Sequence, residues 1–243
     1  MRSIFIKEIK QFFSSPIAYL AMGFFFVLSA LFLWFIPGSN YYIPTYHFAN
    51  LTPFFELAPW ILIFVVAAIS MKSFSEEFKS GTIETILTKP LSSYQIVLGK
   101  FLSIWLLGIL MLLPTFIYVY SIQQLSIDTQ IDIKQIISGY IGLILLMANF
   151  SALGIFASSL FKNQVNAFLT GLFLMFLFYY GLDGLGNFNL LGNLDLMIKK
   201  LSLDFHYQNF IKGLMRLSDL IYLLSITLFF IILTNYNLQN HMK

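Results

Sequence analysis

The sequence has 243 residues, of which 58% are hydrophobic and 10% carry a charged side chain, with a net charge of +3. Soluble domains carry about 25% charged residues, so this composition excludes a soluble globular protein and indicates a polytopic membrane protein. The small net charge gives no basic patch for nucleic acid, and the absence of cysteine excludes disulfides and thiolate metal sites.

The first predicted element is a short amphipathic helix over residues 1–15. Its apolar stripe consists of Phe5, Ile9, Phe12 and Phe13. Such a helix is expected to lie flat on the cytoplasmic leaflet. A secretory signal peptide is the alternative, but the apolar run 17–36 is long for one and no small-residue cleavage site follows it.

Six apolar runs are long enough to cross the hydrocarbon core, which takes about 20 helical residues. The predicted spans are 17–36, 54–71, 99–121, 136–161, 164–180 and 220–236. Pro114 is expected to kink the third span or to be tolerated there by neighbouring groups. Gly139, Gly142, Ser151 and Gly154 are expected to let helices approach the fourth span closely. The predicted fold class is an all-α polytopic membrane protein, with residues 1–243 forming a single transmembrane domain.

The segment 72–98, between the second and third spans, holds a concentration of charges that the spans lack. Phe74 and Phe78 are spaced i,i+4, which predicts a short amphipathic helix. The polar residues around them are Lys72, Glu76, Glu77 and Lys79. Gly81 can end this helix in the left-handed conformation.

A second short helix is predicted after Gly81. Thr82 can cap it, Glu84 lies near its positive end, and Pro90 stops it. Ser92 followed by Gln95 forms a capping box that begins the next long helix. A solvated loop that only tethers two spans is the simpler alternative.

The segment 182–219 is the other long connection. Two helical stripes occur in it, Leu194, Met197, Ile198 and Leu201 in the first and Tyr207, Phe210, Ile211 and Leu214 in the second. Two short amphipathic helices that dip into the outer leaflet are therefore predicted.

The lysines and arginines predict the orientation. With the N-terminus inside, most of them fall on the cytoplasmic side, and the connection between the first two spans has none. The positive-inside rule then places both termini in the cytoplasm and the chain in the cytoplasmic (inner) membrane.

Motifs for chemistry are missing from the sequence. By these bounds no span has an ionisable residue in its interior, as ion-driven transporters usually require. Gly99 and Lys100 do not form a nucleotide-binding loop, because the upstream glycine is absent and Phe101 follows. The chain is therefore predicted not to be an enzyme, and any ATP chemistry belongs to another protein.

Two other kinds of site are weakly indicated. Glu76 and Glu77 resemble the paired glutamates of intramembrane proteases, but no suitable arginine or histidine lies nearby. The acidic residues Asp183, Asp195 and Asp204 with His206 lack the spacing of a metal site. The histidines His47, His206 and His241 are predicted to be solvated or interfacial.

The order of motifs in the loop resembles a known family. The motifs are the acidic pair 76–77, Gly-Thr-Ile-Glu at 81–84, an aliphatic pair, Lys-Pro-Leu-Ser at 89–92 and Ile-Val-Leu-Gly-Lys at 96–100. This pattern resembles the first cytoplasmic loop of ABC-2 type transporter permeases, and is most similar to the gliding-motility-associated permease subunit. The resemblance covers most of the chain.

The resemblance implies a cytoplasmic ABC ATPase that binds ATP and Mg, and a second permease copy or related membrane subunit. It implies no cofactor on this chain, and a coupling loop that sits in a cleft of the ATPase. The coupling residues would be Phe74, Glu76, Glu77, Phe78, Lys79, Gly81, Thr82 and Glu84. The predicted function is the permease subunit of an ATP-driven exporter, with a membrane scaffold as the alternative and an intramembrane hydrolase third.

Overall fold

A computed structural model describes residues 2–45, 50–82, 92–125, 132–187 and 192–240. In these ranges the regular structure is entirely helical, with no strand. Six stretches are long and apolar enough to cross a membrane: Ala18–Phe35, Thr52–Ser80, Ser93–Leu125, Ile133–Leu160, Gln164–Asn187 and Leu217–Asn240. The predicted all-α polytopic fold is confirmed.

The helices are numbered in chain order. They are α1 (Arg2–Ser14), α2 (Pro16–Ala30), α3 (Thr52–Ser70), α4 (Lys72–Ser80), α5 (Ser93–Leu112), α6 (Phe116–Leu125), α7 (Ile133–Leu160), α8 (Gln164–Phe176), α9 (Leu182–Asn187), α10 (Asn193–Lys200), α11 (Leu203–Ile211) and α12 (Leu217–Asn240). Short π-helical turns follow α2 (Leu31–Phe35) and α8 (Leu177–Gly181), and 3₁₀ turns occupy Ile43–Thr45 and Leu113–Thr115.

Helix α7 lies at the centre of the bundle, in contact with α3, α4, α5, α8, α11 and α12. Its small residues make this possible. A Cβ atom at Gly139 would lie 2.6 Å from the Phe55 ring, and one at Gly154 would overlap the Ser70 side chain. The predicted close approach of helices to the fourth span is confirmed.

Three other helices lie at the periphery and expose apolar side chains. Phe24 of α2, Phe173 of α8 and Phe229 of α12 are each about half exposed or more. Contact of such apolar surfaces with water is unfavourable, whereas contact with lipid or with a second membrane subunit is not.

The third span has a capped start and an interruption at a proline. The helix begins at Ser93, as the predicted capping box indicates, and the Ser92 hydroxyl accepts from the Gln95 amide at 3.4 Å and caps it. Pro114 interrupts it with a 3₁₀ turn, as predicted. The Thr115 hydroxyl donates to the Leu112 carbonyl at 2.6 Å within that turn.

The connection between α8 and α12 contains the two predicted short helices, α10 and α11. The stripe Tyr207, Phe210 and Ile211 on α11 is buried, and the Tyr207 hydroxyl donates to the Phe55 carbonyl at 2.8 Å. Helix α11 therefore packs against α7 and α3 within the protein, and its predicted position at the depth of the outer leaflet stays a prediction. On the neighbouring α10, Met197 is exposed.

Candidate functional site

The candidate site is built around α4, which continues α3 after a break at Met71. The Ser158 hydroxyl of α7 lies in that break. It donates to the Met71 carbonyl at 2.9 Å and accepts from the amides of Phe74 at 3.0 Å and Ser75 at 3.2 Å. The first amides of a helix lack acceptors of their own, so a side chain from another helix caps α4. A side chain inserted into the backbone hydrogen-bond ladder also redirects a helix.

Helix α4 has a buried face and an exposed face. Phe74 is fully buried, and Phe78 stacks on it with ring centroids 6.2 Å apart. Glu76 is partly exposed, and Lys79 is exposed. The sequence pattern therefore placed the aromatic pair on the buried side correctly.

The end of α4 follows the predicted glycine signal. Gly81 has φ 71° and ψ 1°, the left-handed conformation, which a glycine adopts without a steric penalty. Thr82 is exposed, and its hydroxyl lies 2.8 Å from the Ser80 hydroxyl. Glu84 and the predicted second short helix lie outside the described residues.

A buried lysine joins α4 to two other helices. The side chain of Lys100 on α5 is 1% exposed. Its ammonium group lies 2.8 Å from Glu8 Oε1 of α1 and 3.0 Å from Glu77 Oε2 of α4. It also donates to the Ser73 carbonyl at 2.6 Å. Among the described residues, Glu8 Oε1 and the Ser73 carbonyl accept hydrogen bonds from the ammonium group, whereas Glu77 Oε2 pairs with it by charge alone.

Two further contacts complete this charged cluster. Lys7 of α1, whose side chain is 54% exposed, lies 3.2 Å from Glu77 Oε1. The Lys100 ammonium lies 5.0 Å from the centre of the Phe74 ring, within the range of a cation–π interaction. The charges of the two lysines and the two glutamates sum to zero. Removing one partner of a buried ion pair lowers the free energy of unfolding by about 3–5 kcal/mol.

The cluster distinguishes the two adjacent glutamates. Glu77 is buried and already paired with Lys100 and Lys7, so it is not available to a partner protein. Glu76, one residue earlier, is partly exposed, and its carboxylate makes no ion pair with the described residues. Of the two glutamates, Glu76 is therefore the one with an accessible carboxylate, and the predicted coupling role of both stays a prediction.

A pocket of about 430 Å³ lies between α1 and α4. Lys7 and Gln11 line it from α1, and Lys72, Ser73 and Glu76 line it from α4. The Ser73 hydroxyl is buried and has no hydrogen-bond partner among the described residues. The pocket is therefore a recess in the surface between α1 and α4.

The prediction that His206 is solvated or interfacial is wrong, because its side chain is buried. Its Nδ1 lies 2.7 Å from Asp219 Oδ1 and its Nε2 lies 2.9 Å from the Lys200 carbonyl. Asn209 donates to Asp219 Oδ2 at 2.9 Å, and the Tyr222 ring stacks on the imidazole at 4.1 Å. This cluster attaches α11 to the start of α12.

The acidic residues near His206 do not form a metal site in the part of the chain that the structure describes, where no group of three metal-ligating side chains occurs. Burial raises the pKa of the Asp204 carboxyl. Gln208 opposes that shift by donating to Asp204 Oδ1 at 3.1 Å.

The sequence is similar to a described family of membrane proteins. Residues 2–240 match the family model for ABC-2 family transporter proteins. No curated protein matches the chain at a significant level. Because the match extends over nearly the whole chain and the fold has six candidate spans, this protein belongs to the ABC-2 transporter family as a membrane-spanning component.

Proposed function

We propose that the chain is the permease subunit of an ATP-driven exporter, and that α4 is the coupling helix on which a cytoplasmic ABC ATPase docks. The observation that carries the proposal is the construction of α4. Its buried face is held by Ser158 and Lys100, while Glu76 and Lys79 remain accessible on the other side. A short helix placed between the second and third spans passes a rigid-body displacement to both of them.

The energy source fits this assignment. ATP and Mg are bound by the partner, because the chain has no phosphate-binding loop of its own. A second permease copy or a related subunit completes the transporter and covers the apolar faces of the peripheral helices. Both termini and α4 face the cytoplasm, and the protein resides in the inner membrane, where it serves a gliding-motility or secretion apparatus.

The test begins with affinity purification of the tagged chain from membranes. We expect it to retain an ABC ATPase in equal amount, two copies of each per complex. Glu76→Lys reverses the accessible charge of α4 and should weaken this association about tenfold, or about 1.4 kcal/mol. Insertion into the membrane should stay normal.

The matched control is Lys212→Glu, a charge reversal on an exposed residue at the end of α11. It should leave the complex unchanged. If Glu76→Lys and Lys212→Glu retain the ATPase equally well, α4 is a tether and not a docking element. Recovery of the chain without any ATPase would exclude the permease function itself.

The second candidate function is a membrane scaffold that anchors a motility or secretion machine without transport. ATP-dependent movement of a substrate in proteoliposomes that contain the complete complex separates the two functions. The intramembrane hydrolase is disfavoured, because Glu77 is engaged by Lys100 and is not free to activate water.

A further inference from the structure

The N-terminal helix α1 is attached to the rest of the protein at both its end and its side. Its end continues into α2, the first span, across Ser15. Its side packs along α5. Towards α4 it borders the pocket of about 430 Å³, and ion pairs join the helices around that pocket. These pairs are Lys7–Glu77, Lys100–Glu8 and Lys100–Glu77.

Lys100 is the member of this set that binds α1 and α4 at the same time. Glu8 belongs to α1, whereas Glu77 and the Ser73 carbonyl belong to α4. With 1% of its side chain exposed, Lys100 has no water to replace a lost acceptor. If either helix moved away alone, the ammonium would be left buried with an unpaired hydrogen, which is strongly disfavoured.

Lys7 differs from Lys100 in a way that makes it a natural control. It also bridges α1 to Glu77, but its side chain is 54% exposed. Water can therefore replace the carboxylate, and ion pairs of this kind contribute little.

We propose that Lys100 is a positioning residue that makes α1 follow α4, so that movement of the coupling helix reaches the first span as well as the second and third. This inference rests on the proposed coupling role of α4. Because α1 leads directly into α2, α1 would transmit the movement of α4 to the first span and would not only rest on the membrane surface.

Distance measurements between spin labels test this directly, because the chain has no cysteine of its own. Labels are placed at the exposed Lys10 of α1, Lys79 of α4 and Lys162 in the turn after α7. Distances 79–162 and 10–162 are measured in the complex with its ATPase, without nucleotide and with ATP and vanadate. In the native chain both distances should shift together, by about 2 Å or more.

The variants separate transmission from folding. Lys100→Met should keep the shift of 79–162 and abolish that of 10–162. The triple variant Lys100→Met, Glu8→Gln, Glu77→Gln leaves no buried charge unpaired, since Lys7 is half exposed to water, so it should fold normally and show the same loss. Lys100→Arg keeps a cation with hydrogens for the same partners, so it should keep both shifts. Lys7→Gln should behave as the native chain.

The outcomes distinguish this inference from the proposed function. If 79–162 shifts and 10–162 does not in the native chain, or if both shift in the triple variant, Lys100 does not transmit the movement. If no nucleotide state shifts 79–162, α4 is not a coupling helix and the inference falls with the proposed function.

Discussion

The contact of Ser158 with the start of α4 predicts the effect of Ser158→Ala. The change removes the acceptor of two buried amides, those of Phe74 and Ser75. The Met71 carbonyl keeps a partner, because the Ser75 hydroxyl also donates to it. A buried amide without an acceptor costs about 1–3 kcal/mol, and loss of a helix cap about 1 kcal/mol. We therefore expect a net loss of about 2 kcal/mol.

The matched control is Ser151→Ala on the same helix. Ser151 is also fully buried, but its hydroxyl has no hydrogen-bond partner among the described residues. Removing it should change the free energy of unfolding by less than about 0.5 kcal/mol. The two changes remove the same atoms from the same helix, so the difference between them measures the cap on α4.

The assay is unfolding of the purified protein in mixed micelles with increasing SDS, followed by recovery of the ATPase on the tagged chain. Ser158→Ala should unfold at lower SDS and retain less ATPase, because α4 is then no longer attached to α7 at its start. Equal stability of the two variants would show that the serine does not cap α4. Lower stability with unchanged ATPase recovery would show that the direction of α4 does not matter for docking.

Four other outcomes are expected. Cysteine at Asn40 should react with a membrane-impermeant thiol reagent in intact cells, and cysteine at Lys79 only after permeabilisation; the reverse would overturn the orientation. The purified chain without its partner should neither bind nor hydrolyse ATP in equilibrium binding and phosphate-release assays, and hydrolysis by the chain alone would contradict the assignment. His206→Phe should destabilise the protein by about 2–4 kcal/mol, since it leaves the buried Asp219 carboxylate without the imidazole; adding Asp219→Leu should recover part of that loss in the same SDS titration. Burial raises the pKa of Asp204, so its ionisation lowers the stability of the fold above the folded pKa and has no effect below about pH 4. Asp204→Asn should therefore raise the melting temperature at pH 7. A gain that persists at pH 4 would refute this.

The features that could be predicted from sequence are those that local pattern determines. Phe74 and Phe78 share a face because they are four residues apart, and Gly81 ends the helix because few other residues adopt a positive φ. Ser92 caps α5 through contacts with residues close in the chain. Each of these signals is complete within one short segment.

The contacts that hold α4 could not be predicted in that way. Lys100 and Glu8 are 92 residues apart, and a lysine near the end of an apolar run is typical of a side chain that reaches for the membrane surface. Only the packing of α1 along α5 turns it into a buried ion-pair partner. The same holds for Ser158, whose neighbours in the chain resemble any stretch of small residues in a span, and for His206, which α12 covers.

Helix α7 has contacts near both ends that fix its length and rotation. Near one end Gly139 lies against Phe55 of α3, and near the other Ser158 reaches the break where α3 becomes α4. One residue added between these two points would turn one end about 100° relative to the other and move it about 1.5 Å along the axis. The glycine and the serine could then no longer face α3 together. The number of residues between them therefore sets how α7 lies against the second span, and an insertion there would disturb both contacts at once.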